Sequence, residues 1–386
     1  MRMQSEVRRS ARCCWIRALM VGLVGLVSWP APRLAAAPAS PAAAIARASQ
    51  FLIEQGQEPD GSFSPQVGPA VTALAVTALV ESGTPADHTA VTKGIDYLLS
   101  FRQPDGGIHR PNSTVANYET AIALVALVAS NTDGRHDDTL AAAQRFLAGI
   151  QWDGAEAGAE SPTYGGAGYG SHQRPDLSNT SFLIEALRTA GAGEDDPAIQ
   201  RALVFVSRSQ NLEGPHNTLP MVTKNPDGGF FYTPANGGES QAGETPAGGL
   251  RSYGSMTYAG LKSMIYAGVA KDDPRVVAAT DWLRRHYTFS ENPGMGDAGH
   301  YYYLHTAAKA LDALGEETVR DADGTSHRWR EELAAAILSR QQPDGSWVNA
   351  NPRWLEGDAN LVTSYALLAL CRCQPRATSP ADEKRD

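Results

Sequence analysis

The hydrophobic pattern alternates between two kinds of helix from Ala42 onward. Six segments are amphipathic, with charged residues along one face: 43–54, 91–102, 138–150, 198–210, 274–286 and 329–341. Six others are apolar or small nearly all round: 72–80, 120–129, 180–189, 257–267, 306–314 and 363–370. Helices with so little polar surface must be enclosed. The alternation predicts an all-α (α/α)6 toroid of six helix–turn–helix repeats over residues 40–373, with the apolar helices lining a central cavity.

A short turn motif joins the two helices of each repeat. Its clearest copy is 342–347, Gln-Pro-Asp-Gly-Ser-Trp, with echoes at 57–63, 103–107, 151–154 and 225–230 and a degenerate copy at 293–297. Proline fixes φ, aspartate bonds its own backbone and glycine supplies a positive φ, so Pro-Asp-Gly favours a turn. We expect the motif to be structural.

Two repeats carry longer connections after this turn. The inserts 155–176 and 231–252 are rich in Gly, Pro, Tyr and Ser. Because all the turns lie at one end of a toroid, we expect these inserts to form a rim around the cavity mouth.

Each apolar helix carries a threonine near its start, which aligns the helices around the ring. The residues just before the threonines are Val71, Glu119, Asn179, Met256, His305 and Val362. Polar residues on apolar helices predict a ligand site in the cavity. The candidates expected to line it are Glu119, Asn179, Tyr253, Tyr258, His300, Tyr302, Tyr303, His305, Lys309, Asn360 and Tyr365. The alternative is that the polar residues bond helix ends and that most of the tyrosines are core.

Two motifs carry a family likeness. The repeated Gln-x-Pro-Asp-Gly-Ser-Trp/Phe pattern resembles the QW motif of squalene–hopene cyclases, and the segment 303–311 resembles the tyrosine–histidine–threonine helix of protein prenyltransferase β-subunits. Over residues 42–373 the chain is similar to the terpenoid cyclase and prenyltransferase superfamily, including its prenyltransferase/squalene oxidase repeat proteins. The resemblance implies the toroid fold and a hydrophobic, polyisoprenoid-like ligand in the central cavity, with cyclase, isomerase or transferase chemistry.

The catalytic signatures of that superfamily do not carry over. Squalene–hopene cyclases use a DxDD acid, which this sequence lacks. Of the Asp, Cys and His that bind zinc in protein prenyltransferases, only His305 has a counterpart, since 252–257 contains no Asp or Cys. We therefore expect no metal and no cofactor. For acid-initiated cyclisation or isomerisation, the candidate catalytic residues are Asp297, Glu119 and His305, because burial can keep a carboxyl protonated.

Two other functions stay open. A glycan-binding or glycan-cleaving (α/α) toroid would suit tyrosine, tryptophan and histidine at a groove, and a non-catalytic interaction scaffold would suit inserts that fill the mouth. A deep, closed, apolar pocket favours an isoprenoid, whereas an open polar groove with paired carboxylates favours a glycan.

The termini and the charge bear on location and partners. Five arginines precede a short apolar run at 18–29 and a small-residue zone at 34–39, so 1–39 is expected to be a signal peptide and the protein to be exported, periplasmic or extracellular. The apolar run is too short to span a bilayer. Residues 374–386 are expected to be a disordered polar tail. A formal net charge of −9 disfavours nucleic acid as a partner.

Overall fold

Twelve α-helices form six pairs in the computed structural model, which describes residues 40–374. Their bounds are α1 (Pro41–Phe51), α2 (Pro69–Glu81), α3 (Thr89–Leu99), α4 (Ala116–Ser130), α5 (Asp137–Gly149), α6 (Leu177–Thr189), α7 (Pro197–Arg208), α8 (Gly254–Tyr266), α9 (Pro274–Arg285), α10 (His300–Leu314), α11 (Trp329–Leu338) and α12 (Ala359–Cys373). Each even-numbered helix packs against its even-numbered neighbours, and α12 packs against α2. The even-numbered helices therefore form a closed inner ring, and the predicted (α/α)6 toroid is confirmed.

Burial distinguishes the two layers as the sequence pattern predicts. The inner helix α8 is buried at every position from Gly254 to Met264. The outer helix α7 buries a stripe that includes Ala198, Ala202 and Phe205, at helical spacing. The inner helices are enclosed by the outer ones, whose charged faces remain on the outside.

The structure differs from the sequence prediction in its boundaries. Every inner helix begins before its threonine, by six residues in α10, where His300 precedes Thr306. A π-helical turn, Leu52–Gly56, follows α1. Between α10 and α11 a two-residue antiparallel hairpin pairs β1 (Val319–Arg320) with β2 (Ser326–His327). The early helix starts matter for the site, because they fix the directions of side chains that precede the threonines.

The Asp-Gly turns share one local structure. The aspartate Oδ1 accepts a hydrogen bond at 2.9–3.0 Å from the backbone N–H two residues on at Asp60, Asp105, Asp153, Asp227 and Asp344. Gly345 has a φ of 94°, and a Cβ there would lie 2.5 Å from the carbonyl oxygen of Arg47 in α1. Glycine is needed at this position both for its φ and for the close approach of the turn to an outer helix.

A glutamine beside the turn ties neighbouring repeats together. Gln341 Nε2 donates to the carbonyl of Gly345 in its own turn, at 2.9 Å, and to the carbonyl of Ala44 in α1, at 3.0 Å. The same pair of hydrogen bonds, one to a turn and one to the start of another outer helix, is donated by each of Gln57, Gln151 and Gln210. Gln341 thereby joins the last repeat to the first, and the structural interpretation of the motif is confirmed.

The recurring threonines join each turn to its inner helix. Oγ1 accepts a hydrogen bond from a backbone N–H of the preceding connection in five pairs: Thr72 with Phe63, Thr120 with Ile108, Thr180 with Ala167, Thr257 with Phe230 and Thr363 with Trp347. Thr306 instead donates to the carbonyl of Tyr302. Thr306 belongs to the repeat whose Asp-Gly turn is degenerate.

The predicted signal peptide at 1–39 and all of the predicted tail except Gln374 lie outside the described residues. Between residues 40 and 374 no helix combines the length and apolar character needed to cross a membrane.

Candidate functional site

A cavity of about 320 Å³ lies at the end of the ring where the inner helices begin. Every inner helix contributes to its wall: Ala70 and Val71 from α2, Tyr118 from α4, Ser178 and Phe182 from α6, Ser255 and Met256 from α8, Tyr302 from α10, and Leu361 and Tyr365 from α12. The cavity is therefore the central cavity of the toroid, in the size range of small-molecule sites.

Eight of the nineteen residues that line the cavity are aromatic. Tyr118 packs edge-on against Phe182 with ring centroids 5.3 Å apart, and Phe182 lies 6.1 Å from Tyr302. Tyr302 lies 6.0 Å from Tyr365, and Tyr118 lies 6.4 Å from Tyr169. These five rings form a continuous wall, which offers a large apolar area and π-faces that attract cations.

Connecting segments form the mouth of the cavity. Tyr169 and Tyr232 come from the two long inserts and line the cavity, as does Gln241. Trp354 and Leu355 also line it, yet they are 43% and 52% exposed and have φ angles of 55° and 64°. Bulky residues adopt this left-handed backbone rarely, because it is strained. The inserts form part of the rim without filling the cavity.

One carboxyl group lines the cavity among the described residues. Glu356 is 1% exposed and accepts hydrogen bonds from the backbone N–H of Tyr302 at 2.8 Å and from Nδ2 of Asn349 at 2.6 Å. Burial raises the pKa of Glu356 above its usual value. Since α10 begins at His300, this carboxyl also satisfies an otherwise unpaired N–H of the first helical turn.

A second carboxyl lies just behind the wall. Asp176 is the N-cap of α6 and accepts hydrogen bonds from the backbone N–H of Asn179 at 2.9 Å and from its Nδ2 at 2.8 Å. The nearby Tyr232, a cavity-lining residue, stabilises the ionised carboxylate and so opposes the effect of burial on the pKa of Asp176. Burial raises the pKa of Asp176 to about 6. The group can therefore hold a proton under mildly acidic conditions.

Of the predicted site residues, the structure brings three to the cavity wall: Tyr253, Tyr302 and Tyr365. In five inner helices, the residue two positions before the threonine lines the cavity: Ala70, Tyr118, Ser178, Ser255 and Leu361. The residue one before the threonine lines the wall at Val71 and Met256, which are apolar. One residue turns a helical side chain by about 100°. The polar residues one position before the threonines, Glu119, Asn179 and His305, consequently do not line the cavity.

Glu119 does not line the cavity. Its Oε1 accepts a hydrogen bond from Nε of Arg110 at 2.7 Å, and its Oε2 accepts one from the backbone N–H of Arg110 at 3.1 Å. The side chain is buried, whereas that of Arg110 is partly exposed. The placement of Glu119 in the cavity is corrected to a buried ion pair between α4 and the preceding connection. Asn179 does not line the cavity either, and its backbone N–H and Nδ2 donate hydrogen bonds to Asp176.

Three more predicted residues of the α8–α10 region lie outside the wall. His300 Nε2 donates to the carbonyl of Phe289 at 3.1 Å, and the hydroxyl of Tyr303 donates to the carbonyl of Thr288 at 2.5 Å. Tyr258 packs against Tyr303 with ring centroids 5.7 Å apart. His300 and Tyr303 bond the connection between α9 and α10, and Tyr258 packs on Tyr303, so none of the three lines the cavity.

Asn360 and Asp297 are also away from the cavity. Asn360 Nδ2 donates to the carbonyl of Gly56 at 3.1 Å and to Oγ of Ser64 at 3.0 Å, which joins α12 to the first repeat. Asp297 is exposed and does not line the cavity. Its position away from the cavity makes Asp297 a poor candidate for the catalytic acid.

His305 and Lys309 lie beneath the cavity floor. The ring of His305 packs against Tyr365 with centroids 5.2 Å apart, and Lys309 pairs with the buried Glu185 of α6. In residues 40–374 no group of three or more His, Cys, Asp or Glu is arranged to hold a metal ion.

Sequence reasoning missed several lining residues: Tyr118, Tyr169, Ser178, Phe182, Tyr232, Trp354 and Glu356. Tyr118, Ser178 and Phe182 lie two residues before or two after the aligned threonines, so a register shifted by one residue would have found them. The others come from connecting segments, for which the helical register carries no information.

Comparison with known proteins gives partial sequence matches. The sequence model of the squalene–hopene cyclase C-terminal domain matches residues 64–232. The drimenyl diphosphate synthase of Streptantibioticus cattleyicolor is 30% identical over 188 residues, which cover 46% of this chain and 32% of that relative. The synthase of Streptomyces showdoensis is 25% identical over 191 residues, covering 48% and 34%. The matches thus span about a third of these relatives.

Solved structures share the fold at low sequence identity. The type II terpene cyclase MstE from Scytonema has a TM-score of 0.51 at 16% identity, covering 86% of this chain and 96% of that one. Its complex with geranylgeranyl dihydroxybenzoate, a substrate, has a TM-score of 0.50 at 15% identity, covering 86% and 96%. A family 76 glycoside hydrolase from Bacteroides thetaiotaomicron has a TM-score of 0.56 at 12% identity, covering 86% and 78%. The same toroid therefore occurs in proteins with unrelated substrates.

Proposed function

We propose that this chain, whose residues 64–232 match the sequence model of the squalene–hopene cyclase C-terminal domain, binds an isoprenoid in its central cavity. The observation that carries the proposal is the wall of five packed aromatic rings from Tyr169 to Tyr365. Such a wall suits an apolar chain with few polar groups. The isoprenoid substrate bound by the Scytonema cyclase of the same fold adds support.

The chemistry that we propose for this cavity is acid-initiated cyclisation or isomerisation, with Asp176 as the proton source and Tyr232 as the relay. The Tyr232 hydroxyl proton adds to an alkene carbon as the Asp176 carboxyl proton passes to the Tyr232 oxygen. A C–H bond forms, the alkene π bond breaks and a carbocation results, which the aromatic faces stabilise. Loss of a neighbouring C–H proton from the cation, through Tyr232 back to Asp176, closes the cycle.

Product analysis with farnesyl and geranylgeranyl diphosphates tests this chemistry. We expect Asp176→Asn to fold, since asparagine is an equally good N-cap, and to lose turnover while keeping substrate affinity. Tyr302→Phe should keep most of the rate because it keeps the ring, whereas Tyr302→Leu should lose about tenfold or more as the cation–π contact disappears. Undiminished turnover by Asp176→Asn would contradict the assigned acid without contradicting ligand binding.

The glycan and scaffold alternatives have less support. A retaining or inverting glycosidase needs two carboxyls facing the substrate, and of the described residues that line the cavity Glu356 is the only acid. A scaffold whose inserts fill the mouth would not leave a cavity of about 320 Å³. Native mass spectrometry tests all three functions. Added mass from farnesol or geranylgeraniol, and none from a neutral oligosaccharide, is expected. The reverse result would contradict isoprenoid binding.

We also propose that the mature protein is exported. The support is the arginine-rich, then apolar, then small-residue order of residues 1–39. N-terminal sequencing of the protein recovered from the bacterial periplasm should give a start between residues 35 and 40. Protein that keeps residue 1 and stays in the cytoplasm would contradict export.

A further inference from the structure

A cluster of charged side chains lies buried on the axis of the ring, beneath the cavity floor. Glu185 from α6 pairs through Oε2 with Lys262 of α8 and through Oε1 with Lys309 of α10. The three side chains are 8%, 5% and 7% exposed. Phe182 lines both the cavity above and the smaller void beside this cluster. Charges this deep are tolerated when their partners neutralise them.

The cluster has more positive than negative charge. Two ammonium groups share one carboxylate. The ring of His305 adds no charge, because burial and the nearby Lys309 lower its pKa well below the usual value. Farther out, Arg372 pairs with Glu81 and Arg330 pairs with Asp312. One positive charge in the centre of the fold is therefore not balanced by a carboxylate of the cluster.

A void of about 20 Å³ adjoins the unbalanced charge. Glu185, His305 and Lys309 line it together with apolar residues and Thr77, whose hydroxyl donates to the carbonyl of Ala73. Within the described range 40–374, Nδ1 of His305 is buried and has no hydrogen-bond partner. The void has room for one particle of about the size of a water molecule. A polar atom that faces such a void without a partner points to an occupant.

We propose that this void binds one monovalent anion, such as chloride, between Nδ1–H of His305 and the ammonium group of Lys309. A water molecule would satisfy the histidine but would leave the excess charge in place. An anion satisfies both groups, and the apolar lining from α2, α4 and α12 excludes competing water. Both groups that bind the anion belong to α10, and Glu185 joins this helix to α6 and α8.

A neutral Lys262 is the alternative to a bound anion. Burial lowers the pKa of Lys262, so loss of its proton would neutralise the cluster without an anion. The two accounts differ in their dependence on chloride. If an anion binds only the folded state, chloride raises the melting temperature in proportion to its occupancy. If Lys262 is neutral, chloride and a bulky anion at equal ionic strength have the same effect.

Thermal unfolding of the full protein in sodium chloride and in sodium gluconate, at matched ionic strength, tests the proposal. Chloride at about a hundred times its dissociation constant should raise the melting temperature by ~4 °C over gluconate. Lys309→Met should abolish this difference, and the exposed Lys271→Met should keep it. Equal melting temperatures of the wild-type protein in the two salts would overturn the proposal.

Crystallography in sodium bromide supplies a measurement that does not depend on a variant folding. We expect an anomalous peak within hydrogen-bond distance of Nδ1 of His305 and Nζ of Lys309. An ordered water or an empty void at that position, with bromide bound at the surface, would equally overturn the anion site.

Discussion

The backbone N–H of Trp347 donates a 3.0 Å hydrogen bond to Oγ1 of Thr363. Both residues are fully buried, so the bond joins the last Asp-Gly turn to the inner helix α12 away from water. Thr363→Val keeps the shape of the side chain but leaves the N–H of Trp347 without an acceptor. We expect the free energy of unfolding to fall by about 1–3 kcal/mol, measured by urea denaturation.

The matched control for this prediction is Thr306→Val. Its hydroxyl donates to the carbonyl of Tyr302 and accepts no bond from a turn. The carbonyl can keep its helical bond when that hydroxyl is removed, so the loss should be below about 1 kcal/mol. Equal losses in the two variants would mean that the threonine-to-turn bond does not hold the repeats together.

Glu119 should behave as a structural residue. Glu119→Gln removes the charge that pairs with Arg110 and weakens two hydrogen bonds at a buried position. We expect a loss of about 1–3 kcal/mol in unfolding free energy with unchanged affinity for farnesol. Glu194→Gln, at an exposed and longer ion pair with Arg188, should change stability by less than about 1 kcal/mol. Weaker farnesol binding by a stable Glu119→Gln protein would contradict the structural role and support a role of Glu119 in ligand binding.

Asp176 should make stability depend on pH. Its pKa is raised to about 6 in the folded protein, above an unfolded value of about 3.9. The folded state therefore binds the proton more tightly, and its stability relative to Asp176→Asn should fall as the pH rises from about 4 to about 6. The total change should be roughly 2–3 kcal/mol, measured by urea denaturation at several pH values.

Asp273 provides a control of the opposite sign for this pH dependence. It is also a helix N-cap, but its hydrogen bond with Arg275 lowers its pKa. Its contribution is therefore present above the unfolded pKa and is lost only as the pH falls below about 4. The stability difference between Asp273→Asn and the wild type should be flat from pH 4.5 to 7. A flat difference for Asp176→Asn as well would contradict the buried-acid description.

The sequence predicts the architecture of this protein better than its cavity. The Asp-Gly turns and the aligned threonines are sufficient to count six repeats and to close them into a ring, because each marks a fixed point of a repeat. Side-chain direction depends on the helical angle from that point. Tyr118, which lines the cavity, and Glu119, which does not, differ by one residue and about 100°, and a threonine by itself does not show which angle faces the axis.

The two acids of the site, Asp176 and Glu356, are harder to predict from the sequence. Asp176 and Glu356 lie at the ends of long connections, and their positions depend on distant contacts. The hydroxyl of Thr233 donates to the carbonyl of Pro175 at 2.7 Å, and the backbone N–H of Tyr302 donates to Glu356 at 2.8 Å. Pairings between segments this far apart in sequence leave no periodic signal. The unusual length of the inserts 155–176 and 231–252 was the one usable indication that they approach the cavity.

Blocking the cavity tests the central claim most directly. Ala70 lies on α2, is 4% exposed and lines the cavity, so Ala70→Phe would place a ring in the space assigned to the isoprenoid. Titration with farnesol, followed by the tryptophan fluorescence to which Trp354 at the mouth contributes, should show saturable binding by the wild type and by Tyr303→Phe. The account predicts binding at least about tenfold weaker for a folded Ala70→Phe protein. Equal affinity of Ala70→Phe and wild type, or no binding by the wild type up to the solubility of farnesol, would contradict it.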